Sequence, residues 1–262
     1  MLTTPYVSGS PSWADLSAPD VDAAAAFYGT VLGWEFRSAG PGAGGYGFFE
    51  LGGRIVAAVA PLTEEGAPAA WTLYFQCEDA DATAAAVTRA GGTVRSAPRD
   101  VFTAGRTAAL TDPTGARFAV WQPGDRKGLD VVAEPGALTW VELYTTDAPA
   151  ARDFYHEVFA WEVRQTPVGD FSAYFVASPA GSTAEKAHAG LLQLQQEHLD
   201  HGSRSEWHPY FATTDCDASV GRATQAGATV IIPPMEAPGI GRLAMLLDPS
   251  QATFALLTPA AG

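Results

Sequence analysis

Cations, cysteines and long apolar runs are all scarce in this chain. Lys and Arg total 15 against 29 Asp and Glu, a formal charge of −14. Nucleic-acid binding depends on clustered cations that displace counterions from phosphates, so this balance argues against a nucleic-acid partner. The same excess of carboxylates disfavours an anionic membrane surface. No stretch approaches the ~20 unbroken apolar residues of a membrane span. The opening MLTTPYVSGSPSW has neither a charged n-region nor an apolar h-region. No membrane partner and a cytoplasmic location are therefore expected. The two cysteines, Cys77 and Cys216, lack CxxC or metal-type spacing and read as free thiols rather than as a disulfide or a zinc site.

What the chain does have is a repeat. Its 262 residues, 47% hydrophobic and 17% charged, suffice for two domain-sized cores. Trp13, Leu16, Asp20, Phe27, Tyr28, Trp34 and Glu35 recur 127 positions later as Trp140, Leu143, Asp147, Phe154, Tyr155, Trp161 and Glu162. Farther on the offset is 136: Tyr74, Phe75, Asp79, Asp81, Gly105, Arg106, Asp112 and Pro113 meet Tyr210, Phe211, Asp215, Asp217, Gly241, Arg242, Asp248 and Pro249. The second half has thus gained 136 − 127 = 9 residues between these blocks. The gain falls around 178–206, a polar stretch with His188, His198 and His201 that reads as a loop or lid.

Each half reads as strand, helix, strands, stated twice. Trp13 to Ser17 alternates as a strand, and Asp20 offers an N-cap to a helix with Phe27/Val31 and Tyr28/Leu32 at i,i+4 spacing, stopped by Gly33. Strands follow at Tyr46–Leu51 and Arg54–Ala60 around the Gly52-Gly53 turn. Trp71–Cys77 begins the unit again, with a second helix from Asp79 and paired strands around Asp112-Pro113-Thr114-Gly115. Asp20, Asp79, Asp147 and Asp215 mark four helix starts and read as caps. The expected fold class is α+β, with domains at 1–122 and 138–262. The stretch 123–137, rich in proline, glycine and charge, is the expected linker.

The segments WADLSAPDVDAAAAFYGTVLGWEF, WTLYFQCEDADATAAAVTRAGG and GRTAALTDPTGARFAVWQP, with their counterparts WVELYTTDAPAARDFYHEVFAWEV, WHPYFATTDCDASVGRATQAGA and GRLAMLLDPSQATFALLTP, carry a resemblance over nearly the whole chain. They resemble the vicinal-oxygen-chelate superfamily (glyoxalase, bleomycin resistance, dioxygenase), in the tandem actinobacterial form often labelled hydroxylase. The resemblance implies two glyoxalase-like domains, each of two βαβββ units forming a cup-shaped mixed sheet. It implies chemistry only loosely, because the fold hosts isomerases, lyases, dioxygenases, thiol transferases and metal-free drug-binding proteins. The metal enzymes of the superfamily place ligands on the first and last strands of each unit. Those positions fall here on Trp13, Thr72, Trp140 and His208, and on Ala119 and Ala255. One histidine among six does not make a divalent-ion site, so no cofactor is expected and a metal is disfavoured. A site using His208, Glu142 and a loop histidine stays open.

Strand parity and the resemblance together choose the candidate residues. Trp13 and Asp15 face the first cup with Thr72, Tyr74, Gln76 and Trp121; Trp140, Glu142, Tyr144, His208 and Tyr210 face the second. Glu142, His208 and Asp15 are the candidate catalytic groups, with the histidine titrating near neutrality. Trp13, Tyr74, Trp121, Trp140, Tyr144 and Tyr210 are the candidate ligand walls, suited to a flat or polycyclic molecule. Arg106, Arg117 and Arg242 are available ion-pair partners for the two acids, and the tryptophans have core filling as their alternative role. The partner expected is a small molecule, and the protein a monomer or homodimer. Three functions compete. The first is metal-independent tailoring of a hydrophobic or aromatic metabolite by hydroxylation, cyclisation or isomerisation. The second is non-catalytic drug or metabolite sequestration of the bleomycin-resistance type, and the third is glyoxalase-type aldehyde detoxification.

Overall fold

The computed structural model describes residues 2–63, 66–166, 174–181 and 186–260. Four βαβββ modules follow one another along the chain. The first is β1 (Pro11–Ala18), α1 (Val21–Leu32), β2 (Glu35–Ser38), β3 (Gly47–Leu51) and β4 (Arg54–Pro61). The second is β5 (Ala70–Gln76), α2 (Ala80–Arg89), β6 (Thr93–Val101), β7 (Gly105–Thr111) and β8 (Arg117–Pro123). The third is β9 (Leu138–Thr145), α3 (Ala148–Phe159), β10 (Glu162–Gln165), β11 (Tyr174–Ser178) and β12 (Ala189–Gln193), with the short α4 (Gln196–Asp200) after it. The fourth is β13 (Glu206–Ala212), α5 (Cys216–Gln225), β14 (Thr229–Ala237), β15 (Gly241–Leu247) and β16 (Thr253–Pro259). The strands form two eight-stranded sheets, ordered β2-β3-β4-β1-β5-β8-β7-β6 and β10-β11-β12-β9-β13-β16-β15-β14. The first and last strands of each module lie parallel, and the remaining described pairings are antiparallel. The sheets are therefore mixed, as expected.

The four aspartates at the helix starts are caps. Asp20, Asp79, Asp147 and Asp215 each accept a backbone N–H three residues on, at 2.9 Å in every case. The stretch 178–206 departs from expectation, because it contains β12 and α4 rather than only a loop. Its polar composition hides the run Ala189-Gly190-Leu191-Leu192, which pairs parallel with β9 and completes the third module; residues 182–185 of that stretch lie outside the described residues.

The compact bodies do not coincide with the sequence repeats. One comprises Met1–Trp13, Leu73–Gly128 and Trp140–His208, and so holds the second module and the third. The other comprises Ala14–Thr72, Leu129–Thr139 and Pro209–Gly262, and holds the first and the fourth. Each has an aromatic core. In the former, Phe75 meets Phe118, Tyr155, Trp161 and Trp207 with ring centroids 5.0–6.4 Å apart. In the latter, Tyr28 stacks on Trp34 at 5.3 Å and meets Trp71 and Phe254 edge-on. Tilted and edge-on pairs of this kind add ~1 kcal/mol each beyond the area they bury.

A polar chain runs through each core in the same form. Trp207 Nε1 donates to Tyr155 Oη at 2.8 Å, and that hydroxyl donates to Asp112 Oδ2 at 3.0 Å. Its counterpart runs from Trp71 Nε1 to Tyr28 Oη at 3.0 Å and on to Asp248 Oδ2 at 3.0 Å. The other oxygen of each aspartate closes its own turn, Asp112 taking the Thr114 and Ala116 amides and Asp248 those of Ser250 and Ala252. A buried carboxylate is tolerable only when so satisfied.

The segment expected to join the halves is tied down. Ile55 N donates to the Asp130 carboxylate, Arg54 pairs with Glu134, and Trp34 Nε1 donates to Gly136 O at 2.6 Å. Cys77 and Cys216 are free and buried, and burial pushes both thiols up to about 11, so neither is a nucleophile at neutral pH.

Candidate functional site

Strand alternation sorts the side chains of β1 and β9 into two faces. Ala14, Leu16 and Ala18 of β1 and Val141, Leu143 and Thr145 of β9 are fully buried. Their neighbours Asp15, Ser17, Trp140 and Tyr144 are only partly buried and occupy the opposite face. Trp13 and Glu142 share that parity, both buried, with Glu142 7% exposed.

Glu142 is held by a tyrosine. Tyr174 at the start of β11 is 6% exposed. Its hydroxyl donates to Glu142 and accepts from the indole of Trp140, and burial beside the Glu142 charge pushes its pKa well above the ordinary value. The place is tight: a Cβ on Gly190 of β12 would lie 2.3 Å from Tyr174 Oη and 2.9 Å from Glu142 Oε1. The first half has a matching pair, Tyr46 Oη donating to Asp15 Oδ1 at 2.8 Å. Tyrosines are thus polar neighbours that the structure supplies to both acids. Arg106 is spent on Asp81 and Asp100, and Arg242 on Asp217 and Glu236, all on exposed surface. A long guanidinium at a strand's solvent end reaches the adjacent helix start more readily than a buried mid-strand acid.

His208 lies on β13, the neighbour of β9 in the sheet, and is 5% exposed. Tyr144, two residues beyond Glu142, meets it edge-on at 4.7 Å. Burial pushes the imidazole down to about 4, well away from the neutral value expected of a half-charged base, so the ring is uncharged at pH 7. Its Nδ1 is buried with no hydrogen-bond partner among the described residues. A buried nitrogen without a protein partner can bond to a ligand or a water; Gln76 Oε1 and His188 Nε2 are orphaned in the same way.

The other candidates are placed as follows. Tyr74 on β5 pairs in register with Ala119, and Tyr210 on β13 with Ala255, so each aromatic ring sits beside a small side chain. Tyr210 is buried and Tyr74 partly so. Trp121 is buried, with its Nε1 donating to Arg126 O at 3.0 Å. Trp140 and Glu142 are thus joined through Tyr174, Tyr144 packs on His208, Asp15 is joined to Tyr46, and Trp13, Tyr74, Trp121 and Tyr210 lie on β1, β5, β8 and β13. A cleft of about 380 Å³ opens elsewhere, beside the start of α5; Arg242 pairs there with Asp217 and Glu236, and Asp215 caps the helix. It offers little to a ligand.

Comparison with known proteins now settles the family. Residues 10–120 match the Glyoxalase/Bleomycin resistance protein/Dioxygenase superfamily, and residues 140–257 match a Glyoxalase-like domain. The anthracycline biosynthesis protein DnrV of Streptomyces peucetius is 39% identical over 269 residues, covering 97% of this chain and 94% of that protein. The chain belongs to the glyoxalase/bleomycin resistance/dioxygenase superfamily. Among solved structures of the superfamily's fold, the Mn(II)-bound glyoxalase from Novosphingobium aromaticivorans superposes with a TM-score of 0.65 at 18% identity, covering 96% of this chain and 83% of that one. The 2,3-dioxygenase LapB from Pseudomonas sp. KL28 superposes equally well, at 0.65 and 14% identity, covering 97% and 94%.

Whether a glyoxalase-type metal could be held here is a question about donors. Ala119 and Ala255 offer none, Glu142 is engaged by Tyr174, and no three His, Cys, Asp or Glu converge among the described residues. The histidines of the 178–206 stretch do not join Glu142 and His208. His188 is buried against Trp161 with ring centroids 5.0 Å apart, while His198 and His201 are exposed and bond to the backbone of α4 and its cap. The described residues do not fit a divalent ion. No described helix is long and apolar enough to cross a membrane.

Proposed function

We propose that this chain, as a cytoplasmic monomer or homodimer with glyoxalase-like domains at 1–122 and 138–262, binds a flat hydroxylated polycyclic metabolite and moves protons on it without a metal. Glu142 is the acid–base group. His208, uncharged, supplies a hydrogen bond to a ligand oxygen, and Tyr144 packs the imidazole in place. Trp13, Tyr74, Trp121, Trp140 and Tyr210 form the aromatic walls, and Asp15 is the corresponding acid of the first half. The single observation that carries this reading is the second cup's own chemistry: an acid 7% exposed and a neutral imidazole with an orphaned nitrogen, on adjacent strands beside tyrosine rings. The relative named for anthracycline biosynthesis points to the same class of molecule. Proton transfer of this kind serves an isomerisation or a cyclisation. Aldehyde detoxification is less favoured, since the donor set does not suit the metal that polarises its substrate.

The test is hydrogen–deuterium exchange into a bound ligand. The protein is incubated in D2O with an acetyl-bearing tetracyclic hydroxyquinone, binding is followed by tryptophan quenching, and deuterium beside the ketone is read by mass spectrometry. Wild type is expected to bind and to exchange above background, whereas Glu142→Gln binds and does not exchange. Binding with background exchange in both proteins would make this a sequestering protein and remove Glu142 from any mechanism.

A further inference from the structure

The internal repeat allows the two acids to be compared at equivalent positions. Asp15 faces Ala58 across the β1/β4 pairing, and Ala58 faces Phe48 on β3. Glu142 faces Gly190, and Gly190 faces Val176 on β11. Two residues before Phe48 and Val176 on the same face stand Tyr46 and Tyr174, the tyrosines that donate to the two acids. The pairing of a tyrosine with an acid is thus present in both halves, although the acid itself differs by one methylene.

That methylene is compensated. Where the acid is the shorter aspartate its strand neighbour is alanine, and where it is the longer glutamate its neighbour is glycine. Gly190 has ordinary strand backbone, so its need is for space, and a methyl group there would collide with the Tyr174 hydroxyl at 2.3 Å. A buried tyrosine that only filled volume would not need its hydroxyl kept on the acid through a coupled change at two other positions. We infer that Tyr174 is the positioning residue of the second cup, with Gly190 making room for it: the hydroxyl, steadied by the Trp140 indole, fixes the orientation in which Glu142 meets a ligand. Tyr46 serves Asp15 in the same way. This rests on Glu142 being the ligand-facing acid, as proposed above. A carboxylate held by a fixed donor loses rotamer freedom on folding rather than on binding, which is the physical content of preorganisation.

The probe is 1,4-dihydroxyanthraquinone, titrated into the full chain by tryptophan quenching from pH 5 to 9. Tyr174→Phe is expected to melt within a few degrees of wild type, to bind about tenfold more weakly, and to shift the pH at which affinity changes. Gly190→Ala should do the same by steric pressure, and Gly190→Ala with Glu142→Asp, which rebuilds the first half's arrangement, should recover most of the loss. A Tyr174→Phe protein with wild-type affinity and pH profile overturns the assignment, whether or not the glycine variants fold. If wild type does not bind the probe, the aromatic-ligand reading fails on its own. The pairing is then decided without ligand, by melting Tyr174→Phe, Glu142→Gln and the double variant. Losses that fail to add sustain it, and strictly additive losses overturn it.

Discussion

Acidification from pH 7 to pH 5 is expected to cost this protein about 4 kcal/mol through two buried histidines. Burial pushes His208 down to about 4 and His188 to about 3, against an ordinary value of 6.5. Both folded values are depressed, so the unfolded chain takes up the protons first. The stability contributed is present above pH 6.5 and is lost as pH falls toward 4 and 3. At pH 5 an unfolded imidazole is mostly protonated and a folded one hardly so, and the ratio of the two binding polynomials gives about 2 kcal/mol for each. Asp112 and Asp248, raised by burial, act with the opposite sign, since their contribution is lost as pH rises through their folded values. For a chain of this size each kcal/mol moves the melting point by ~2–4 °C, so the two histidines together lower it by about 10 °C. The assay is calorimetry at pH 7 and pH 5 on wild type, His188→Gln and His208→Gln. Each variant should lose about 2 kcal/mol less than wild type between pH 7 and pH 5, whatever its own stability at pH 7. The same loss in all three proteins would refute the reasoning, because it would place the acid sensitivity elsewhere.

Two further outcomes follow from the packing. Tyr155→Phe removes the hydroxyl that joins Trp207 to Asp112 and leaves both buried groups short of a partner, at a cost of about 1–3 kcal/mol; Tyr28→Phe should match it between Trp71 and Asp248. Urea midpoints that fall by less than about 0.5 kcal/mol equivalent in both would mean that water replaces the hydroxyl at no loss. Asp79→Ala, which removes the 2.9 Å cap on Ala82, should cost about 1 kcal/mol by the same measurement and leave ligand binding untouched.

Much of this is legible in the amino-acid sequence. The spacing of Trp13, Asp20 and Phe27 against Trp140, Asp147 and Phe154 announced the repeat, because equivalent strands and helices need the same apolar and capping residues. Period-two alternation placed Asp15 and Glu142 on the face away from the helix-side core, which depends only on strand geometry. Tyr46 and Tyr174 are neighbours of the acids that sequence reasoning does not find. Tyr46 reads as the start of a strand and Tyr174 lies in the region where the two halves lose register, so neither carries a local signal of what it touches. A residue-by-residue comparison of the β3 and β11 strands would have found them, but that alignment requires the strand pairings of β4 and β12. β12 escaped for a related reason: five residues among polar neighbours give no period to count, and the strand exists because β9 and β11 flank it.

By itself, then, the amino-acid sequence determined the modules, their caps and the faces of their strands, all of which follow from the local periods of helix and strand. Only the tertiary structure decided which modules share a core, bringing the second together with the third and the first with the fourth. It also decided that the two acids answer to tyrosines and that His208 is uncharged. Those outcomes depend on burial and on neighbours far apart in the chain, and no local pattern of residues encodes either.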